Sequence, residues 1–336
     1  MAKIVLGMGT SHGPMLSTPP EEWGQRVEAD KYRLELFYQG TKWSFDDLVR
    51  ERAGEHLENE VTLERMRERH AACQRAIASL AETFARVRPD VAVIFGDDQE
   101  EVFLSDNMPA FLVFWGDEFE NVPLSEEEAG RRGPGLAVAA WGHSPPETQV
   151  IDGVPELGRR MIDHLMTADF DISHARRLPA GLYRNHTIPH AYGFLYRRIM
   201  NDEIIPNVPV FLNTFYPPNQ PSMRRSYDFG KVIGEAIASW DSDKTVAVMA
   251  SGGLTHFVIE EDIDRDVLTA LKNRDETHLR SLDSRYFNAG SSEIRNWLAM
   301  AGALAHTDLE MDLVDYVPCY RSFAGSGNAM GFATWT

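Results

Sequence analysis

A histidine set directly behind a run of small residues is the strongest chemical feature of the chain: Ser251-Gly252-Gly253-Leu254-Thr255-His256 follows the apolar stretch Thr245 to Ala250. An α/β enzyme places its chemistry at such strand ends. Small residues let the backbone turn and approach a ligand, and imidazole titrates near neutral pH. Two other segments share this character. Met8-Gly9-Thr10-Ser11-His12 follows the apolar run Ile4 to Gly7, and Glu293 opens an amphipathic stretch ending near Leu304. His12 and Glu293 converging on one sheet edge could hold a metal ion. Two neutral imidazoles and one carboxylate, with other positions open, is the donor set of non-haem Fe(II) oxygenases. The plainer alternatives are that Glu293 only complements the dipole of its helix and that His12 hydrogen-bonds a turn. A metal-dependent hydrolase also fits, since His and Glu hold Zn²⁺ and activate water.

The elements that must position these residues follow from hydrophobic patterning. Apolar runs at Ile4 to Gly7, Val91 to Gly96, Phe111 to Trp115, Val208 to Asn213 and Thr245 to Ala250 alternate with helical patterns. This predicts an α/β fold with a mostly parallel central sheet and helices on both faces, in a single domain over 1–336. Helices near Ser44 to Ala53 and Thr62 to Arg88 make the region of about 20–88 a helical insertion after the first strand. Leu63, Met66, His70, Cys73, Ile77, Leu80, Phe84 and Val87 form one face of the second, ended by Pro89. Cys73 is therefore core. With Cys319 it gives neither a disulfide framework nor a zinc-finger spacing. The stretch Asp117 to Pro146 reads as an irregular excursion that could form a lid or an interface. The glycine-rich tail Gly325 to Phe332 lacks the spacing of a phosphate loop and is expected to wrap against the site or a neighbouring subunit.

With 336 residues and 43% hydrophobic content the chain can bury a large core. Its net charge of −18, without a cluster of Lys and Arg, argues against nucleic acid or an anionic membrane as partner. No apolar stretch reaches the ~20 residues that span a bilayer. Met1-Ala2-Lys3 runs straight into the first strand, which predicts a cytoplasmic protein.

Four ordered motifs resemble the class III extradiol ring-cleavage dioxygenases, typified by the catalytic chain of protocatechuate 4,5-dioxygenase and by gallate dioxygenases. They are Gly7-Met8-Gly9-Thr10-Ser11-His12, Asn185-His186-Thr187-Ile188-Pro189-His190, the Ser251 to His256 turn, and Glu293-Ile294-Arg295-Asn296-Trp297-Leu298 with Ala301-Gly302-Ala303-Leu304. Gly9 to Pro20 is most similar to the 3-O-methylgallate dioxygenase branch. The resemblance implies a homodimer that cleaves a catechol or gallate-type ring with O2 and Fe(II). His12 and Glu293 match metal ligands, His256 the acid/base histidine, and His186 the second active-site histidine, with His190 competing across a small gap. Where the family has its second metal histidine this chain has Gln99, in Gly96-Asp97-Asp98-Gln99. A glutamine oxygen can bind a hard divalent ion; Asp98 or a neighbouring acid, or a histidine from elsewhere such as His143, could ligate instead. A non-oxygenase metal-binding relative of the same fold is the alternative. For a substrate carboxylate, Arg184, Arg295, Arg224 and Arg225 are candidates, and Phe103, Phe215, Tyr216 and Phe332 could line an aromatic pocket.

Overall fold

A computed structural model of the chain describes residues 1–34, 36–131, 136–179 and 186–336. Its centre is a nine-stranded sheet formed by β1 (Lys3–Thr10), β2 (Val91–Asp97), β3 (Phe111–Phe114), β4 (Ser173–Ala175), β5 (Asn207–Leu212), β6 (Thr245–Ser251), β7 (His256–Val258), β8 (Met311–Tyr320) and β9 (Ser326–Trp335). The order is β7-β9-β1-β6-β2-β5-β3-β4, with β8 pairing on β9. The inner four strands, β1, β6, β2 and β5, are mutually parallel as the alternation of runs and helices predicts. Their central residues are apolar and buried because helices cover both faces.

Apart from the short α1 (Gln25–Lys31), which contributes nothing to the two main core clusters, the covering helices are α2 (Leu63–Val87), α3 (Pro155–Thr167), α4 (Met223–Ala238) and α5 (Ile294–Leu304). Val91, Val93 and Phe95 of β2 pack with α3, α4 and α5, whereas Ala92 and Ile94 face α2 and the helical segment from His190 to Ile199. Thr62 caps α2 by accepting from the Arg65 amide, and Ser44 caps the helix Phe45–Glu51 in the same way. Cys73 and Cys319 are buried thiols whose sulfurs lie 3.8 Å apart, joining α2 to β8. Among the described residues no helix is long and apolar enough to cross a membrane.

Register decides what reaches the site. Thr10 pairs with Ser251, Ala250 with Phe95, and Asp97 with Leu212, so β1, β6, β2 and β5 end along one line. Residues just past those ends therefore meet at one edge. The glycine-rich tail does lie against the site, but as the strand β9: it runs antiparallel to β1 and to β7, with Asn328 opposite His256 and lining the same cavity. The stretch 117–146 is also more regular than its composition suggests. It holds a strand, Glu118–Asn121, paired with Gln149–Asp152, and a short helix, Glu126–Arg131.

Candidate active site

His12 lies two residues beyond β1, Asp97 ends β2, and Glu293 immediately precedes α5. The three are buried, and one ligand-type atom from each lies within 4.8 Å of the others. Neighbouring groups fix how they present themselves. The Ser251 hydroxyl donates to the Ala191 carbonyl at 2.6 Å, so its oxygen accepts from His12 Nδ1 at 3.0 Å. Nε2 of His12 is left with its lone pair toward Glu293, 3.6 Å from Oε2. That is the tautomer a metal ligand needs. Asp97 accepts from Asn296 Nδ2 and from Gln99 Nε2, each at 3.0 Å. The Gly253 amide donates to Glu293 Oε2 at 2.6 Å.

Charge follows the same division. Burial drives the His12 pKa down to about 4, outweighing the pull of Glu293, so its ring is neutral. Burial also opposes charge on His256, but Glu293 Oε1, 3.3 Å from its Nε2, overrides this and raises its proton affinity. For Glu293, burial alone would raise the pKa; His256 and His12 hold it well below the usual carboxylate range instead. Asp97 is pushed up by burial and then by Glu293. Two carboxylates and a neutral imidazole, all buried, form a hard, anionic donor set, and a divalent cation would relieve the repulsion between the carboxylates. The donor set fits such an ion.

The His256 ring is gripped by its surroundings. Nδ1 donates to the Leu254 carbonyl at 2.8 Å, which leaves Nε2 as the titrating atom. Gly253 and Gly290 flank the imidazole so closely that a Cβ would stand 2.5 Å from Cε1 or 2.2 Å from Cδ2. Any larger residue at either position would displace the ring. Asn296 and Trp297 of α5 donate to the carbonyls of Ser251 and Gly252, pinning the turn.

A cavity of about 470 Å³ opens on this cluster and is lined by His12, Glu293, His256, His190, His143 and Gln99 among others. The structure thus brings His12, Glu293 and His256 together and treats the remaining candidates differently. Gln99, expected as a ligand, lines the cavity and donates its amide to Asp97, the carboxylate two residues earlier that groups with His12 and Glu293. Asp98 accepts the amides of Glu101, Val102 and Phe103 and is committed to shaping that loop. His186 is exposed, with its Nδ1 against the Leu178 carbonyl, and does not line the cavity. His190 does: Glu101 accepts from both its amide and Nδ1 at 2.7 Å, and its ring stands edge-on to His12 at 4.8 Å. His143 lies 5.7 Å from His190, outside the ligand cluster.

Among the expected carboxylate anchors, Arg184 lies outside the described residues. Arg295 is buried with its donors on backbone carbonyls such as Pro221 and Phe287, and Arg224 and Arg225 are exposed. None of these three lines the cavity, whereas Arg26 and Arg33 do. Of the aromatic candidates Phe215 lines it; Phe103 packs on Phe211 in the core, as Phe332 packs elsewhere. Leu124, Glu128, Leu136 and Ala139 make the stretch 117–146 one wall. Arg26 was missed in the sequence, and Asp97 entered there only as an unnamed acid beside Asp98. Asp97 carried a usable signal, as the last residue of an apolar run.

Residues 61–325 match a family described as the catalytic LigB subunit of aromatic ring-opening dioxygenase. The chain is 25% identical over 187 residues to a 2,3-dihydroxyphenylpropionate/2,3-dihydroxicinnamic acid 1,2-dioxygenase of Comamonas testosteroni, covering 55% of this chain and 49% of that one. It is 27% identical over 181 residues to a gallate dioxygenase of Pseudomonas putida, covering 50% and 51%. The chain thus spans about half the length of the curated relatives it matches. An uncharacterized protein from Escherichia coli K12 overlays 76% of this chain and 91% of its own at 12% identity with a TM-score of 0.38, a likeness too loose to carry an argument.

Proposed function

Because the chain belongs to the LigB family of catalytic subunits of aromatic ring-opening dioxygenases, we propose that it cleaves a vicinal aromatic diol beside its two hydroxyls, with O2, using Fe(II) held by His12, Asp97 and Glu293. The observation that carries this reading is the meeting of those three donors within 4.8 Å at the strand ends, beside His256. When bound, Fe(II) supplies electron transfer between the diol and dioxygen. The residues do the rest. Nε2 of His256, made more basic by Glu293, takes a phenolic proton and returns it later in the cycle, while Nδ1 stays on Leu254. His190, held by Glu101 against the His12 ring, is placed to orient substrate in the role first sought at His186. The buried edge keeps water from the reacting groups.

3-O-methylgallate is the first substrate to try, supported by the Gly9 to Pro20 motif; the relatives named for gallate and for dihydroxyphenylpropionate support a diol that also bears an acid. A homodimer in the cytoplasm belongs to the same reading, on the family likeness and on a pair of buried free thiols that suits a reducing compartment. One observation favours a second reading. Asp97 in place of an imidazole makes the donor set rich in oxygen, which also suits a hydrolytic ion such as Zn²⁺. Anaerobic loading with Fe(II), followed by oxygen uptake on 3-O-methylgallate, gallate, protocatechuate and catechol, separates the two. Uptake with a ring-opened product is expected; tight metal binding without uptake on any member would sink the dioxygenase.

A further inference from the structure

Arg26 is a buried cation without a counter-ion. It lies in α1, is only 7% exposed, and lines the same cavity as His12 and His256. Among the described residues no carboxylate lies within ion-pair distance of its guanidinium and no acceptor meets its N–H groups; Nε is fully enclosed without one. The neighbouring groups are already committed. Asp30 is held by Arg321 through Nε at 2.7 Å and Nη2 at 2.9 Å, and by the Ser326 hydroxyl at 2.6 Å. Arg33 lies over the Phe257 ring, 3.6 Å from its centroid. Burial, then Arg321 and Arg33, lower the Arg26 pKa to about 10, so it remains charged at neutral pH.

A desolvated charge lacking a partner is costly, and folds retain one where a ligand brings the missing charge. In a chain of net charge −18, an internal carboxylate for Arg26 would have been easy to supply. The charges that bear on Arg26 are Arg321, Arg33 and Asp30, with none from the His12, Asp97, Glu293 cluster. We propose that Arg26 anchors a carboxylate carried by the aromatic substrate, so that the cavity selects catechol-type acids over neutral catechols. This rests on the ring-opening reading. The planar guanidinium presents two parallel N–H groups to a carboxylate, a match that an ammonium cannot make. Pro14, Phe194, Phe215 and Phe257 supply apolar wall for the ring. With the diol at the metal cluster and the acid on Arg26, the ring is held at two points and its orientation is set.

The test compares wild type, R26M and R26K, each loaded with Fe(II). Anaerobic calorimetric titration with protocatechuate and with catechol gives affinities, oxygen uptake gives kcat and KM, and denaturant melts report folding. R26M should weaken protocatechuate binding and raise its KM by ~10–100-fold, with a smaller change in kcat and no change for catechol. R26K should fall between, keeping the charge and losing the fork. R26M should also resist denaturant at least as well as wild type, since an unpaired buried charge is removed. An acid-over-neutral ratio equal in all three proteins, or wild type that binds no acid of the panel, overturns the anchor. Arg26-dependent acid binding without oxygen uptake on any diol would keep the anchor and overturn the ring-opening reading instead. If R26M fails to fold, the ratio measured on R26K decides.

Discussion

The cavity contains two charged clusters in opposite states of completion. At His12, Asp97 and Glu293, hydrogen bonds to Ser251 and from Asn296, Gln99 and Gly253 already orient the side chains. Around Arg26, among the described residues, the carboxylate that bears on it, Asp30, is spent on Arg321. The first cluster is a socket whose supports are protein; the second is half of an ion pair. The difference teaches that preorganisation and an unpaired charge are separable signals: the one supports the reading of an ion site, the other that of a charge supplied by a ligand.

The largest effect should come from breaking the socket. Glu293→Ala and Asp97→Ala should each lower metal affinity by more than ~100-fold, measured as metal retained after dialysis, whereas Gln99→Leu should cost no more than ~10–100-fold as the loss of a supporting contact. Equal losses for Gln99→Leu and Asp97→Ala would return Gln99 to the ligand set. Next, His256→Ala should cut turnover by ~10²–10⁴-fold with metal content unchanged. Undiminished kcat in the fully loaded variant would remove His256 from the proton transfers. A contrast in stability follows. Arg321→Met leaves buried Asp30 with only Ser326 and the more distant Arg33, at 4.0 Å, and should cost about 3 kcal/mol by denaturant melt, the opposite of the outcome expected for R26M. If both variants lose stability alike, Arg26 has a partner inside the protein.

The smallest effect lies outside the cavity. Burial raises the Glu260 pKa from 4.5 to about 7, beyond what Arg52 and the Gln39 amide offset. The folded chain then binds more protons than the unfolded chain between those values. Stability should fall as pH rises through that window, with the penalty absent below 4.5 and full above about 7. Glu260→Gln should flatten this part of the profile, read from denaturation midpoints at pH 4.5 and 7.5; an unchanged slope would assign it to other groups.

The inner sheet was readable because strands buried on both faces leave unbroken apolar runs, and His12 and His256 were readable because they follow two of them. Asp97 obeyed the same rule but stood only as an unnamed acid beside Asp98, because the resemblance draws attention to Gln99, the position where it places a histidine. The choice between His186 and His190 depends on Glu101, nearly ninety residues away in sequence, which no local pattern exposes. Arg26 was hidden because arginine is ordinarily a surface residue, and it lies in a short helix of what reads as an insertion. The hairpin β8-β9 was hidden too: glycine and alanine in β9 carry little strand propensity and are held there by tertiary packing.

The contact between the Gly253 amide and Glu293 has a spectroscopic consequence. A hydrogen donated across 2.6 Å to a buried carboxylate is strongly deshielded, so this amide should resonate far downfield of other glycines. A cation that draws charge from the same oxygen weakens that bond and moves the resonance back upfield. One backbone proton thus becomes a gauge of site occupancy, legible by magnetic resonance with a diamagnetic ion and without any turnover.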